Sequence, residues 1–269
     1  MYTGKIIDTH AHIYPDKIAG KAVEAIAKFY DIPMNGHGMV ADLLSRSDKA
    51  GVSRVLVHST ATKPEQVISI NDFIIGETKK SERLIGFGTM HPDFDGIESE
   101  IERIISFGLQ GVKLHPDFQQ FDVDSEGAQN IYRACENKIP LLLHIGDYRT
   151  KFSEPSKLMR MVEKFPDVTF IAAHFGGWSV WEESYRTLEP RPNLFMDTSS
   201  SLFMLDKELA RKIIKKHGAE KFLFGTDYPM WDSDKEVRRV LELGLTPDEF
   251  ELIFYKNAEK LLNSGGGKA

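Results

Sequence analysis

The chain has 269 residues, 41% of them hydrophobic and 28% charged, with 34 basic against 40 acidic side chains for a formal net charge of −6. That is the balance of a globular protein large enough to bury a core without disulfide staples, and it offers no basic stripe to a nucleic-acid backbone. A single cysteine, Cys135, excludes an intrachain disulfide, no run approaches the ~18 apolar residues of a membrane span, and the N-terminus has no signal-peptide pattern, so the expectation is a cytoplasmic protein.

Taken in chain order, short β-branched and apolar runs recur at 5–12, 54–60, 84–91, 111–116, 140–145, 168–174, 193–199 and 221–228. After the first, successive starts lie about 25 to 30 residues apart, one βαβ step each. The segments between them read as helices. Residues 97–107 carry apolar side chains at 97, 101, 104 and 105 with Gly108 as a stop, a single stripe at helical period. Stretches 128–137, 156–165, 205–217 and 233–243 follow the same scheme, with Gly218 closing 205–217 behind Lys215, Lys216 and His217. Thr246-Pro247-Asp248-Glu249 opens a last helix with Thr as N-cap, Pro at the first position and Glu at the third.

Eight strands alternating with helices predict a distorted (β/α)8 barrel of the α/β class. An open doubly wound sheet is the alternative, but no glycine-rich phosphate loop follows the first strand. The long connection 15–50, with a helical stretch near 21–30, reads as an insertion over the barrel mouth. Residues 1–263 are expected to form one domain, and 264–269 a flexible tail.

Seven of the nine histidines fall at or just past strand C-terminal ends: His10, His12, His58, His91, His115, His144 and His174. Strands seven and eight end in Asp197 and Asp227. In a barrel that edge is where active sites are built. Residues two apart on a strand point the same way, so His10 and His12 of Asp8-Thr9-His10-Ala11-His12 face inward together. With His144, His174 and Asp227 ending later strands, the set suits one divalent metal ion, zinc first, manganese or iron otherwise. Asp227 could instead cap the following helix, but Ser233 is better placed for that.

The segments Ile7-Asp8-Thr9-His10-Ala11-His12, Gly111-Val112-Lys113-Leu114-His115-Pro116, Leu143-His144, Ala173-His174-Phe175-Gly176-Gly177, Asp197-Thr198-Ser199-Ser200 and Phe224-Gly225-Thr226-Asp227-Tyr228-Pro229 resemble the amidohydrolase superfamily. The resemblance is greatest to its amidohydrolase-related branch, which includes aminocarboxymuconate-semialdehyde decarboxylase. It implies His10, His12, His144 and Asp227 as ligands of one metal, and His174 beside the metal-bound water as proton shuttle or electrophile. Lys113 occupies the strand where binuclear members carry a bridging carboxylated lysine. A cationic Lys113 holding a substrate carboxylate is the preferred reading. His115, Arg149 and Trp178 are further candidates for substrate contact. Phe175, Trp181, Tyr148 and Trp231 either line an aromatic-tolerant pocket or pack helices onto the barrel.

A metal held by three imidazoles and a carboxylate can activate water near neutral pH, with Asp227 or His174 taking the proton. The preferred reading is hydrolysis of a C–N or C–O bond in a small, carboxylate-bearing cyclic or aromatic substrate, because it needs least beyond that water. The alternative is non-oxidative decarboxylation of an aromatic or unsaturated acid, with Lys113 or Arg149 holding the carboxylate. A nuclease on this scaffold would want a glutamate where strands three to five end in histidine. A metal-binding barrel without catalysis would not need the proton-handling set. The expected partner is a small molecule, with neither nucleic acid nor membrane, and a homodimer is left open.

Overall fold

The computed structural model describes residues 2–264, so the tail expected over 264–269 lies outside the described residues apart from the backbone of residue 264. The strands are β1 (Ile7–His12), β2 (Arg54–His58), β3 (Leu84–Gly86), β4 (Gly88–Thr89), β5 (Val112–Leu114), β6 (Leu141–Leu143), β7 (Phe170–Ala172), β8 (Leu194–Asp197) and β9 (Phe222–Leu223). Every ladder between neighbours is parallel. β3 and β4 are one barrel strand changing partners at Phe87: Phe87 N donates to Val57 O at 3.0 Å and Gly88 N to Gly111 O at 2.8 Å. The strand positions therefore number eight, as the spacing predicts.

The last position departs from the expected 221–228. Only Phe222–Leu223 is regular strand, and the chain then runs irregularly along β1. Thr9 N donates to Phe224 O (2.8 Å), Asp227 N to His10 O (2.8 Å) and His12 N to Tyr228 O (2.6 Å), with Ala11 bridging Tyr228 in parallel. These bonds close the barrel and lay the segment carrying Asp227 beside the two histidines of β1. Buried Asp8 secures the seam: it accepts from Thr226 N (3.0 Å) and Thr226 Oγ1 (2.5 Å). The β1–β2 register slips between Asp8 and Ala11, a local irregularity at the ligand-bearing end of the strand.

The helices between strands are α1 (Asp16–Tyr30), α2 (Val40–Ala50), α3 (Val67–Thr78), α4 (Ile97–Ser106), α5 (Pro116–Gln119), α6 (Glu126–Cys135), α7 (Pro155–Lys164), α8 (Trp181–Thr187), α9 (Lys207–His217) and α10 (Ser233–Leu241). α1 starts earlier than its pattern suggests, with Asp16 in the first turn, where negative charge suits the helix dipole. Ser233 does not cap α10. It is the first helical residue, its hydroxyl is buried without a partner, and Asp232 at the cap position turns its carboxylate to Arg46. α11 (Pro247–Glu251) has the expected box, Thr246 Oγ1 accepting from Glu249 N while Glu249 accepts from Thr246 N. A π-helical turn, Leu252–Lys256, leads into α12 (Asn257–Ser264).

Two apolar clusters result. The larger lies between strands and helices and includes Val55, Val112, Leu141 and Phe170 of the sheet with Ile74, Ile104, Ile131 and Leu158 of the helices. The smaller joins Ile7, Leu56, Ile85, Leu142, Ile171 and Leu223 from six strands to Ala258, Leu261 and Leu262 of α12. Alternation along the strands contributes: Leu56 and Leu142 lie two residues before His58 and His144 and so face the same interior. The barrel is thus apolar inside at the end plugged by α12 and polar at the other. Among the described residues no helix is long and apolar enough to cross a membrane.

Candidate metal centre

Four candidate side chains, His12, His144, His174 and Asp227, line one narrow cavity at the polar mouth with Lys113, His115, Tyr30 and Phe118. The cavity holds about 330 Å³ of empty space. His10 lies directly behind, its ring centroid 5.5 Å from that of His12 and 5.1 Å from that of His174. The His10 and His12 Nε2 atoms approach Asp227 Oδ1 to 3.4 and 3.3 Å. Barrel closure brings these three residues together from the first and last strand positions.

The other ring nitrogens are tied down, and this fixes which atoms remain free. His10 Nδ1–H donates to Asp197 Oδ2 at 2.7 Å, so Nε2 carries its lone pair. His144 Nε2–H donates to Gly146 O at 2.9 Å and leaves Nδ1 free; His174 Nδ1–H donates to Ser199 O at 3.0 Å and leaves Nε2 free. Those two atoms lie 3.0 Å apart. Facing lone pairs need a positive charge, either a shared proton or a cation. Burial, then the surrounding positive groups, holds His144 well below its ordinary pKa, and burial likewise lowers His174. His10 Nε2 and His144 Nδ1 present lone pairs, and with the His12 ring and an Asp227 oxygen they are a donor set for a divalent metal, so the residues present fit one. His58 adds to this. It is fully buried, its ring lies 4.4 Å from His12 and 4.9 Å from His10, and neither of its nitrogens has a hydrogen-bond partner among the described residues.

Burial pushes Asp227 up, but His10 and His12 beside it win and keep its carboxyl well below the usual range. Ser200 Oγ donates to Asp227 Oδ2 at 2.5 Å, and Trp231 Nε1 donates in turn to Ser200 Oγ at 2.8 Å. Asp197 is also held ionised, the His10 ring outweighing its burial. Lys113 Nζ donates to His10 Nε2 at 3.2 Å, and burial lowers its pKa to about 8. Among the described residues no carboxylate oxygen lies within ion-pair distance of that amine.

His174 and Asp227 both adopt left-handed backbone, at φ 62° and 60°. That conformation costs a non-glycine residue of order 1–3 kcal/mol and clusters where function demands it. Gly225 is required by close approach: a Cβ there would stand 2.9 Å from His10 Cβ.

The remaining candidates divide. His115 is in the cavity, stacked 3.9 Å from His144 and 3.8 Å from Phe118; its Nδ1 accepts from Phe118 N, so its Nε2–H donates to Tyr30 Oη at 2.8 Å. Arg149 stands outside the cavity lining. Its guanidinium pairs with Asp147 at 2.6 Å and lies over the rings of Phe29, Tyr30 and Trp178. Trp178 is buried behind Tyr30, its ring 6.4 Å from that of His144. Phe175 packs on Phe222, Trp231 on Phe203, and Tyr148 is exposed; none lines the cavity. Tyr30 is the residue the sequence gives least warning of, since it reaches the site from the insertion.

A parallel barrel with a His/Asp cation centre at its strand C-termini is the scaffold of a metal-dependent enzyme. The amidohydrolase family model matches residues 7–263, and the chain belongs to that family. Among solved structures, an uncharacterised TIM-barrel protein from Bordetella bronchiseptica superposes with TM-score 0.77 at 20% identity, over 97% of this chain and 99% of that one. The 5-carboxyvanillate decarboxylase of Sphingomonas paucimobilis gives 0.75 at 17%, over 96% and 99%. A dihydroxybenzoic acid decarboxylase from Polaromonas, solved with manganese and the inhibitor 2-nitroresorcinol, gives 0.74 at 15%, over 97% of each chain. At these identities the likeness is one of fold. Among curated proteins none matches the chain.

Proposed function

We propose that the chain is a metal-dependent, non-oxidative decarboxylase of a small aromatic or unsaturated carboxylic acid. The observation that carries this is Lys113: a fully buried amine at the edge of the metal cavity, 3.2 Å from His10 Nε2, with no carboxylate in contact among the described residues and only the charges of Asp227 and Asp197 at longer range. Burying a charge without a contacting partner is costly, and a substrate carboxylate would supply that contact. Hydrolysis of a carboxylate-bearing substrate, the reading that sequence alone prefers, would use this amine only to bind, whereas decarboxylation places it on the group that leaves. Two of the solved relatives named above, which share the fold, act on aromatic acids by decarboxylation, and this supports the same choice.

When bound, a divalent metal supplies positive charge that holds substrate oxygens and stabilises negative charge developing on them. His10, His12, His144 and Asp227 would hold it, zinc or manganese alike, and manganese in a relative makes that ion the first to test. Lys113 Nζ orients the carboxylate. The reaction then needs a proton on the carbon that bears the carboxylate. Carbon dioxide leaves, and the electrons of the broken C–C bond return to the ring. His174 lines the cavity and would bring that proton to the ring carbon, whereas Asp227 is held ionised and has no proton to give.

The test uses manganese-loaded protein, a panel of hydroxybenzoic acids and D2O. Decarboxylation releases carbon dioxide and places deuterium at the vacated ring carbon, read by NMR. Lys113→Met should retain its metal and lose at least ~10²-fold in kcat/KM. Turnover of amides or lactones of these acids without carbon dioxide release would return the assignment to hydrolysis.

A further inference from the structure

Beside the metal cavity lies a second, larger chamber that shares His12, Ile26 and Phe118 with it. It opens to solvent, and its empty space, counted out into that opening, is about 1270 Å³. One wall is α1, through Ile18, Ala22, Ala25 and Phe29; the facing wall is α3, through Ile70 and Phe73. No Asp, Glu, Lys or Arg lines it, and its polar groups are hydroxyls, one glutamine and the edge of His12. The charged groups of the site, Lys113 and Asp227, belong to the smaller cavity alone. Polarity is therefore divided between two adjoining spaces that share three residues: a charged one at the metal ligands, and a larger apolar one between two helices.

A compact acid fills only the first part. An apolar space of this size, joined to a cation centre through shared residues, is what an extended amphiphilic ligand requires. We propose that the substrate is an acid with an apolar arm: its carboxylate sits at Lys113 and the metal ligands, and an alkyl or aryl substituent of several carbons passes His12 and Phe118 to lie between α1 and α3. This rests on the decarboxylase reading for the carboxylate end only. The insertion carrying α1 then acquires a purpose, since it supplies the wall that distinguishes a long substrate from a short one.

The test is calorimetric, on the manganese-loaded full chain, with benzoate and the 4-n-alkylbenzoates from methyl to hexyl as probes. Affinity should rise roughly three- to fourfold per added methylene until the arm reaches solvent. Ala22 and Ala25 lie on the solvent side of the core, so Ala22→Trp and Ala25→Trp can fill the chamber without repacking the barrel. Each should flatten the series toward the value for benzoate, with unchanged circular dichroism. A flat series in the unsubstituted protein overturns the proposal. So does a flat series together with a dimer, seen by sedimentation, that Ala25→Trp splits, because the chamber is then covered by a second copy. The two readings fail separately. Benzoate binding that survives EDTA counts against the carboxylate-at-metal reading, while the slope with chain length reports on the chamber alone.

Discussion

Asp197 shows how much of a metal site lies outside its ligands. Its Oδ2 takes the His10 Nδ1 proton at 2.7 Å, and its Oδ1 accepts from His174 N at 2.9 Å and Ser199 N at 3.0 Å. One carboxylate thereby sets the tautomer of one proposed ligand and positions the backbone of the proposed shuttle. Asp197→Asn can present an amide N–H to Nδ1 and turn the lone pair away from the cavity. Partners of this kind are worth about 10–100-fold in metal affinity, so the variant should bind manganese weaker by that factor, measured by titration against a chelator; unchanged affinity refutes the role. His174 separates from the ligands by a second experiment. If it carries a proton, His174→Ala keeps its metal and loses roughly 10²–10⁴-fold in kcat, the usual worth of acid–base catalysis, whereas His12→Ala loses both metal and activity. Metal-free His174→Ala would make the histidine a ligand. The candidate ligands are legible in sequence because a strand end announces where a side chain goes. The function of Asp197, the reach of Tyr30 to His115 and the orphaned nitrogens of His58 are not, because each depends on a contact between distant segments.

At the scale of elements, α10 follows the strand position that carries Asp227, and its buried face holds a charge. Glu236 is 1% exposed, and burial raises its carboxyl to about 8 although Arg239 pairs with it. A folded pKa above the unfolded 4.5 means that the native state binds the extra proton between those values. Its contribution to stability is therefore present at low pH and lost as pH rises from about 4.5 to about 8, with no further change above. Glu236→Gln keeps an oxygen for Arg239 and removes the titration. It should match the unsubstituted protein at pH 5 and exceed it at pH 9 by at least ~1 kcal/mol, or ~2–4 °C in melting temperature for a chain of this size. A difference that is the same at both pH values rules the linkage out. The sequence pattern finds α10 but mistakes its start. Ser233 looks like a cap by residue type, yet Asp232 takes the cap position and spends its carboxylate on Arg46 of α2, a partner 186 residues away. The same applies to the last strand, where 221–228 reads as regular but only two residues pair regularly with β8. The rest is shaped by the closing seam with β1.

The molecule as a whole is legible from periodicity because each βα step repeats the same local problem, an apolar strand needing a helix to cover it. What periodicity does not supply is closure. The seam between β1 and the segment 224–228 is held by a few backbone bonds and by the Asp8–Thr226 clamp, and it crosses the ligand cluster. The proposed ligands come from the first, sixth and last strands in chain order, so a bound ion would tie both sides of the seam to the far wall. Stability should then be linked to metal. An ion at 1,000 times its dissociation constant adds about 4 kcal/mol to the native state, which for this length is roughly 8–16 °C in melting temperature. Manganese-loaded protein should melt higher than EDTA-treated protein by about that interval. Lys113→Met, which removes no proposed ligand, should keep the interval. His12→Ala should lose it, melting at one temperature with or without chelator. An interval that survives in His12→Ala would place the ion elsewhere, and equal melting of the loaded and stripped unsubstituted protein would mean that the barrel closes without it.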